Sequence, residues 1–291
     1  MGEFASIVIP NLDSPLVGRT LEALRQQELE PGALEILVVG RDRPGLVPRD
    51  GSVRYLETEQ QLNAGAARNQ GVAAARGERL LFTDADCRPA PDWAPRLLEA
   101  LERYPVAGGS VQFALDGNRW AVADNIASFS ALLPDRPAGA RHTQPVGSLN
   151  LGLRRQAWQQ VGTFDENLVT SEDYDWILRA RKIGLEVFFD PAALVEHADA
   201  RQDRHSLEEH AVWYGRHFNA FRQKHPGVFD HGPTWQSRRR LASTRTAKAW
   251  IASLKIFLAH PMLMPGWRAF PGVVAFKMAW YQAILDTWPE S

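Results

Sequence analysis

Cysteine is all but missing from this chain: Cys87 is the one thiol in 291 residues. That excludes an internal disulfide framework and fits a reducing compartment. Net charge is missing as well, with 33 Lys and Arg against 34 Asp and Glu for a formal balance of -1. A strongly basic nucleic-acid binder would look different, so no nucleic-acid partner is expected. No uncharged apolar run reaches the roughly 18 residues that a membrane-spanning helix needs. The first residues, Met1-Gly2-Glu3-Phe4, carry neither the charged region nor the apolar stretch of a secretory signal, so the cytoplasm is the expected address. Glycines are present, yet Gly65, Gly71 and Gly77 lack the spacing of a dinucleotide-binding Gly-x-Gly-x-x-Gly loop.

What remains is 45% hydrophobic and 23% charged, the profile of an ordinary folded globular protein. Its length suits one large domain with an appendage, or two small domains. Ser6 to Pro10 is a β-branched run ended by proline and reads as a buried strand. Leu16 to Gln27 reads as a helix closed by Pro31-Gly32, Leu34 to Val39 as a second strand, and Val53 to Leu56 as a third. The Ala-rich stretch from Ala64 to Ala75 reads as a helix, and Leu80 to Thr83 as a fourth strand. Strands alternating with helices predict a mainly parallel α/β sheet with helices on both faces.

In such sheets ligands bind beyond the carboxyl ends of the strands. Pro10-Asn11, Gly40 to Asp42 and Asp84-Ala85-Asp86 all fall at those ends, so three separate stretches converge on one crevice. Asp84 and Asp86 are alternate residues and point to the same side of an extended chain. Oxygen donors of that kind suit a hard divalent cation that keeps positions open for phosphate oxygens, although a simple acidic turn also explains the triplet. Further on, Trp93 to Tyr104 is an expected helix and Val106 to Phe113 an expected strand. Residues 115–145, with Pro134, Pro137 and Gly139, are expected to form a loop bordering the site. Gly147 to Leu153 and Leu185 to Phe189 are expected strands, with Arg155 to Val161 and Ser171 to Gly184 as helices between them. From about residue 205 the pattern turns to helices. Residues 234–291 hold eight Lys and Arg, two acids and five of the ten tryptophans, which suits either an interfacial membrane surface or helices packed on a core.

The order of these pieces resembles a family-2 glycosyltransferase of the GT-A fold. The matching stretches are Ser6 to Pro10, Glu35 to Val39, Asn63 to Gly71, Phe82 to Asp86, Gly147 to Asn150, Gly162 to Glu166 and Ser171 to Trp176. Arg179 and Gly184 complete an Glu-Asp…Arg…Gly pattern. The resemblance covers roughly residues 4–200. It implies a catalytic domain over 1–204, with a nucleotide-sugar half (1–114) and an acceptor half (115–204), followed by a helical, basic, Trp-rich extension (205–291).

The resemblance further implies a nucleotide-diphosphate-sugar donor, a hydroxyl acceptor, Mn²⁺ or Mg²⁺, and inversion at the anomeric carbon, in a hexosyltransferase serving the cell envelope. The acceptor is then a lipid-linked or saccharide precursor, reached by peripheral contact through 234–291 at the inner face of the cell membrane. By position, Asp84 and Asp86 match the acids at the metal and diphosphate, Arg68 a residue facing the nucleotide, and His197 a third metal ligand in some relatives. Asp173 matches the general base, with Glu172 second. Pro10, Asn11, Ala85 and Asn150 fall among donor-binding positions, and Trp176 is a candidate for stacking on an acceptor sugar. The run Val38-Val39-Gly40-Arg41-Asp42 departs from the family's usual acidic pair, so Asp42 is the candidate for the base and UDP only the leading donor. Two other readings are a nucleotidyltransferase, which would want a phosphate loop that Pro10-Asn11-Leu12-Asp13 does not offer, and a scaffold that has lost activity.

Overall fold

The computed structural model describes residues 4–30, 32–140, 142, 145–228 and 234–288. Pro31, expected to help close the first helix, lies outside the described residues, as do parts of the 115–145 stretch, and of Trp235 only the backbone is described. The chain divides into two compact units, one of residues 1–112 with 131–198 and one of residues 113–130 with 199–291. Residues 113–130 and 199–204, kept with the catalytic domain in the sequence reading, thus cluster with the helical part.

In chain order the elements up to residue 197 are β1 (Ala5–Leu12), α1 (Val17–Arg25), β2 (Leu34–Arg41), β3 (Arg54–Glu57), α2 (Ala64–Ala74), β4 (Arg79–Thr83) and β5 (Cys87–Pro89). They continue with α3 (Trp93–Arg103), β6 (Val106–Gln112), α4 (Arg119–Phe129), β7 (Gly139–Ala140), β8 (Asn150–Arg154), α5 (Arg155–Val161), α6 (Glu172–Lys182) and β9 (Val187–His197). All but α4 belong to the first unit.

The strands form one sheet in the order β3-β2-β1-β4-β8-β6-β9-β5, with β7 on β9. The β3-β2-β1-β4 side is parallel throughout. On the other side β8 runs antiparallel to both β4 and β6, while β6 and β9 are parallel. Helices cover both faces. Val8 and Phe82 are register partners and so share a face. Val8 meets α2 at Gly71, and Phe82 packs on Trp158 and Phe164. Their neighbour Leu81 points the other way, onto Leu101 of α3. Such two-sided cover is why β1 and β4 read as unbroken apolar runs.

Two buried polar groups pin the parallel side. Glu35 of β2 accepts from Ser6 Oγ (2.6 Å), the Arg76 amide (2.6 Å), Arg54 (2.8 Å) and the Arg76 side chain (3.0 Å). Burial alone would raise its pKa, but these donors hold it down at about 2. Gly40, at φ +130°, sits beside Asn11, whose carbonyl oxygen would lie 2.0 Å from any Cβ placed there.

Three elements differ from the expectation. The stretch expected as a bordering loop holds α4, with Ala121, Val122, Ala123 and Ile126 all buried. The Pro-rich turn after Asp86 holds the short strand β5, which pairs antiparallel with β9. Finally, β9 does not stop at Asp190-Pro191 but shifts register against β6 between Gly109 and Ser110 and runs on to His197.

In the second unit α4 joins α7 (Arg204–Lys224), α8 (Trp235–Ala259), a 3-10 helix (Pro261–Ala269) and α9 (Phe270–Asp286). Asp203 opens α7 with a capping box, accepting from the Ser206 amide while Ser206 answers its own amide. Gly215 lets α7 press against α9, since a Cβ would stand 2.6 Å from the Trp280 carbonyl oxygen. The apolar centre here includes Leu241, Ile284 and Leu285 under Phe218, Trp280 and Tyr281.

Candidate active site

The sheet brings the sequence candidates together at one edge. β4 ends at Thr83, paired with Asn150 at the start of β8. The antiparallel turn-over therefore sets residues 147–149 beside Asp84-Ala85-Asp86, at the carboxyl end of the parallel strands. The loop after β1 reaches the same place, where Ser14 Oγ donates to the Ala85 carbonyl at 3.1 Å.

Arg68 is the centre of this edge. Asn63 caps α2 by accepting from the Ala66 amide, and Asn69 clamps the 164–166 segment through the Phe164 backbone and Glu166. Between them Arg68 projects into a buried slot, 3% exposed, and donates to Asp84 Oδ1 at 2.6 Å and Glu172 Oε1 at 2.7 Å. Its Nε has no hydrogen-bond partner among the described residues. Burial works against this charge, but Asp84, Glu172 and Asp173 outweigh it and hold the guanidinium firmly protonated.

One cation thus faces three carboxylates, and the most enclosed of them gives way. Glu172 is pushed up to about 7 by burial, with Asp173 adding to the rise and Arg68 opposing it. Glu172 is therefore not placed as a free base; it braces Arg68. The turn that aims it is strained: Ser171, just before α6, sits at φ 64°, a left-handed conformation that costs a non-glycine residue about 1–2 kcal/mol. The next residue, Asp173, takes the other direction. Its Oδ2 accepts from the Ser148 amide (2.8 Å) and Ser148 Oγ (3.1 Å).

The second pole of the site is Asp86. Cys87 of β5 is the register partner of His197 of β9, and the Ala198 amide donates to the Asp86 carbonyl. This pairing leaves His197 Nε2 at 3.6 Å from Asp86 Oδ2, with the Asp86 side chain 39% exposed. Burial raises the Asp86 carboxyl, His197 draws it down and Asp84 adds to the rise. Two donors sharing one ion at about 2.1 Å stand about 3 Å apart when adjacent, so this pair needs only a small closure to hold a divalent cation. Among the described residues no preformed cluster of three such side chains exists. The donor set fits an ion that takes two protein ligands and leaves the rest of its shell to phosphate oxygens.

Several candidates have other employment. Asn150, expected at the donor, is wholly buried, accepts from the Trp93 indole and donates to the Ser110 and Ala193 carbonyls. Trp176, the candidate acceptor platform, is likewise sealed, donating to the Gly162 carbonyl and stacking on Trp158 at 6.1 Å. Asp42, proposed for the base, turns both oxygens onto the Leu46 and Val47 amides and closes its own loop. Asn11 braces β1 to the Arg41 carbonyl and the Ser14 amide, and Pro10 lies beside Val39 in the register. Arg179 forms an ion pair with Asp175 at 2.9 Å, one turn earlier on α6.

Residues the sequence did not single out include Asp13, which follows β1 at φ 57° and accepts from Arg41 at 2.7 Å. Arg19 and Arg88 line the recess in front of Asp86, the latter paired with Glu196. The left-handed Asp13 leaves no signal in sequence, and the two arginines are legible only once β5 is known.

Known glycosyltransferases are similar to this chain in sequence and in fold. Glycosyltransferase AglE of Haloferax volcanii is 28% identical over 198 residues, covering 64% of this chain and 64% of its own length. The amylovoran biosynthesis glycosyltransferase AmsB of Erwinia amylovora is 26% identical over 201 residues, covering 62% and 65%. The chain thus matches slightly less than two thirds of the length of these relatives. Among solved structures, the mannosyltransferase PcManGT from Pyrobaculum calidifontis, in complex with GDP-Man and Mn²⁺, superposes with a TM-score of 0.63 at 16% identity, over 97% of this chain and 87% of that one. That likeness speaks for the GT-A fold. A family model described as Glycosyl transferase family 2 matches residues 6–156, a span that takes in Arg68, Asp84 and Asp86 and stops short of Asp173 and His197. It covers just over half of the chain, and the chain belongs to that family.

Proposed function

We propose that this protein transfers a sugar from a nucleotide-diphosphate donor to an acceptor hydroxyl with inversion, using Mn²⁺ or Mg²⁺. The observation that carries the reading is the opposition of two poles on one sheet edge: Asp86 with His197, and Asp173 held by Ser148. Asp86 and His197 would hold the cation, and when bound it offsets the charge that builds on the leaving diphosphate. Asp84, fixed by Arg68, shapes the floor between the poles. Asp173 takes the proton of the attacking hydroxyl: its Oδ1 accepts only the Tyr174 amide, at 2.7 Å, among the bonds described, and a carboxylate oxygen has a second lone pair for a hydroxyl within reach. The two bonds from Ser148 keep that carboxylate in one orientation.

UDP is the leading donor, although the mannosyltransferase neighbour carries GDP-Man. The acceptor is a lipid-linked or saccharide precursor of the cell envelope. The enzyme works in the cytoplasm, with peripheral contact through residues 234–291 at the inner face of the membrane. A panel of UDP- and GDP-sugars, assayed for hydrolysis with and without Mn²⁺, tests the proposal. Asp86→Ala should abolish the metal-dependent fraction; unchanged hydrolysis in that variant, or no metal effect with any donor, refutes it.

A further inference from the structure

One face of the second unit is unlike the rest of its surface. Along α8, Trp250, Leu254 and Leu258 recur at intervals of four, with Ile251 beside them, and are 52%, 43%, 72% and 54% exposed. They share one side of the helix, while Ala249, Ser253 and Phe257 on the other side are buried. The stripe runs on into the 3-10 helix. Phe270 lies 5.6 Å from the Trp250 ring and stacks at 4.8 Å on Trp267, which is itself 44% exposed next to Met264.

Charge frames the same face. Between Asp230 and Asp286 the sequence contains no acid and eight Lys and Arg. Lys248 and Lys255 fall beside Ile251 around α8, Arg238 to Arg240 lie about three turns before Trp250 on the same helix, and Arg268 follows Trp267. No helix of the described residues is long and apolar enough to cross a membrane. We propose that this face lies in the surface of an anionic bilayer, with Trp250, Ile251, Leu254, Leu258, Met264 and Trp267 in the headgroup boundary and the cations on lipid phosphates.

The charge pattern selects that occupant. A second copy of the chain meeting the face symmetrically would bring these cations against the same cations, with no acid from residues 231–285 of either copy between them. A nucleic acid would satisfy the cations but leave the central apolar stripe in water. A bilayer satisfies both, because exposed apolar area and phosphate charge occur at one depth. The inference deepens the peripheral contact proposed above. It stands apart from the transfer chemistry, which donor hydrolysis in solution reports without any membrane.

Flotation of the full chain with vesicles tests it, using phosphatidylcholine alone or mixed equally with phosphatidylglycerol. The wild type should float with the mixed vesicles, much less with the neutral ones, and less as salt rises. Leu254→Glu combined with Leu258→Glu should lower binding more than ten-fold, and Lys255→Glu, an exposed change that spares the fold, about five-fold or more. Donor hydrolysis and the unfolding midpoint should stay unchanged in all. Failure of the wild type to float, full flotation of the Leu254/Leu258 variant, or a dimer in light scattering that this variant dissociates would each overturn the proposal.

Discussion

Replacing Glu172 separates its charge from its shape. The raised value of about 7 against an ordinary 4.5 means that the folded protein keeps this proton where the unfolded chain has lost it. A raised carboxyl contributes stability that is fully present below the unfolded value and is lost as pH rises through the folded one. From about pH 5 to about pH 8.5 the loss comes to about 2.5 kcal/mol for this group alone. Glu172→Gln keeps an acceptor for Arg68 and has no proton to lose. Urea unfolding of wild type and Glu172→Gln at both pH values, taken as a difference, cancels the titrating groups that do not interact with Glu172. The wild type should fall by about 2.5 kcal/mol more than the variant, within about 1 kcal/mol. Glu172→Ala is the contrasting arm. It strips Arg68, already without a partner at Nε, of a second contact in a slot 3% open to water, and should leave the protein about 3–5 kcal/mol less stable than Glu172→Gln at either pH, since neither variant has a proton to lose. Equal pH dependence in wild type and Glu172→Gln, or equal losses in the Gln and Ala variants, would refute the idea that one cation is shared unequally among three acids.

Two further outcomes follow from other parts of the molecule. Asp173→Asn should lower turnover by about 10²–10⁴-fold with little change in donor affinity, as measured by initial rates at saturating donor; a change confined to KM would remove it from the proton-transfer role. Glu35 is the opposite case to Glu172, held down at about 2, so its contribution of about 3 kcal/mol is intact above 4.5 and disappears as pH falls through about 2. Glu35→Gln should therefore be less stable than wild type at neutral pH and converge with it in acid, and parallel acid-unfolding curves would contradict this.

Much of the parallel side was legible because β1, β2 and β4 are buried on both faces and so consist of uninterrupted apolar runs. The acids at their ends followed from the strand-end rule, which needs only the strands. β5 was not legible: three residues, two of them Arg88 and Pro89, carry no periodicity, and only the pairing with β9 makes them a strand. α4 was hidden for a different reason. Its residues 121–126 are all buried, so it shows no alternation between wet and dry positions. Asn150 and Trp176 show a third limit. Motif position assigned them to ligands, but which way a side chain points depends on the register of β8 and the packing of α6, and neither is written in spacing.

The β5–β9 pairing also bears on how the protein comes into being. Asp86 and His197 are 111 positions apart in the chain, and a three-residue ladder brings them together. A ribosome-bound chain can complete the β3-β2-β1-β4 side, whose contacts are near in sequence, long before β9 exists. Contacts of large sequence separation form late, because the loop they close must first lose its freedom. On that rule the proposed cation-holding pole forms late, when Asp173 has already been made. A nascent or truncated form ending before residue 187 would have the acids that follow β4 without His197, so the proposed metal-dependent chemistry would itself report finished folding.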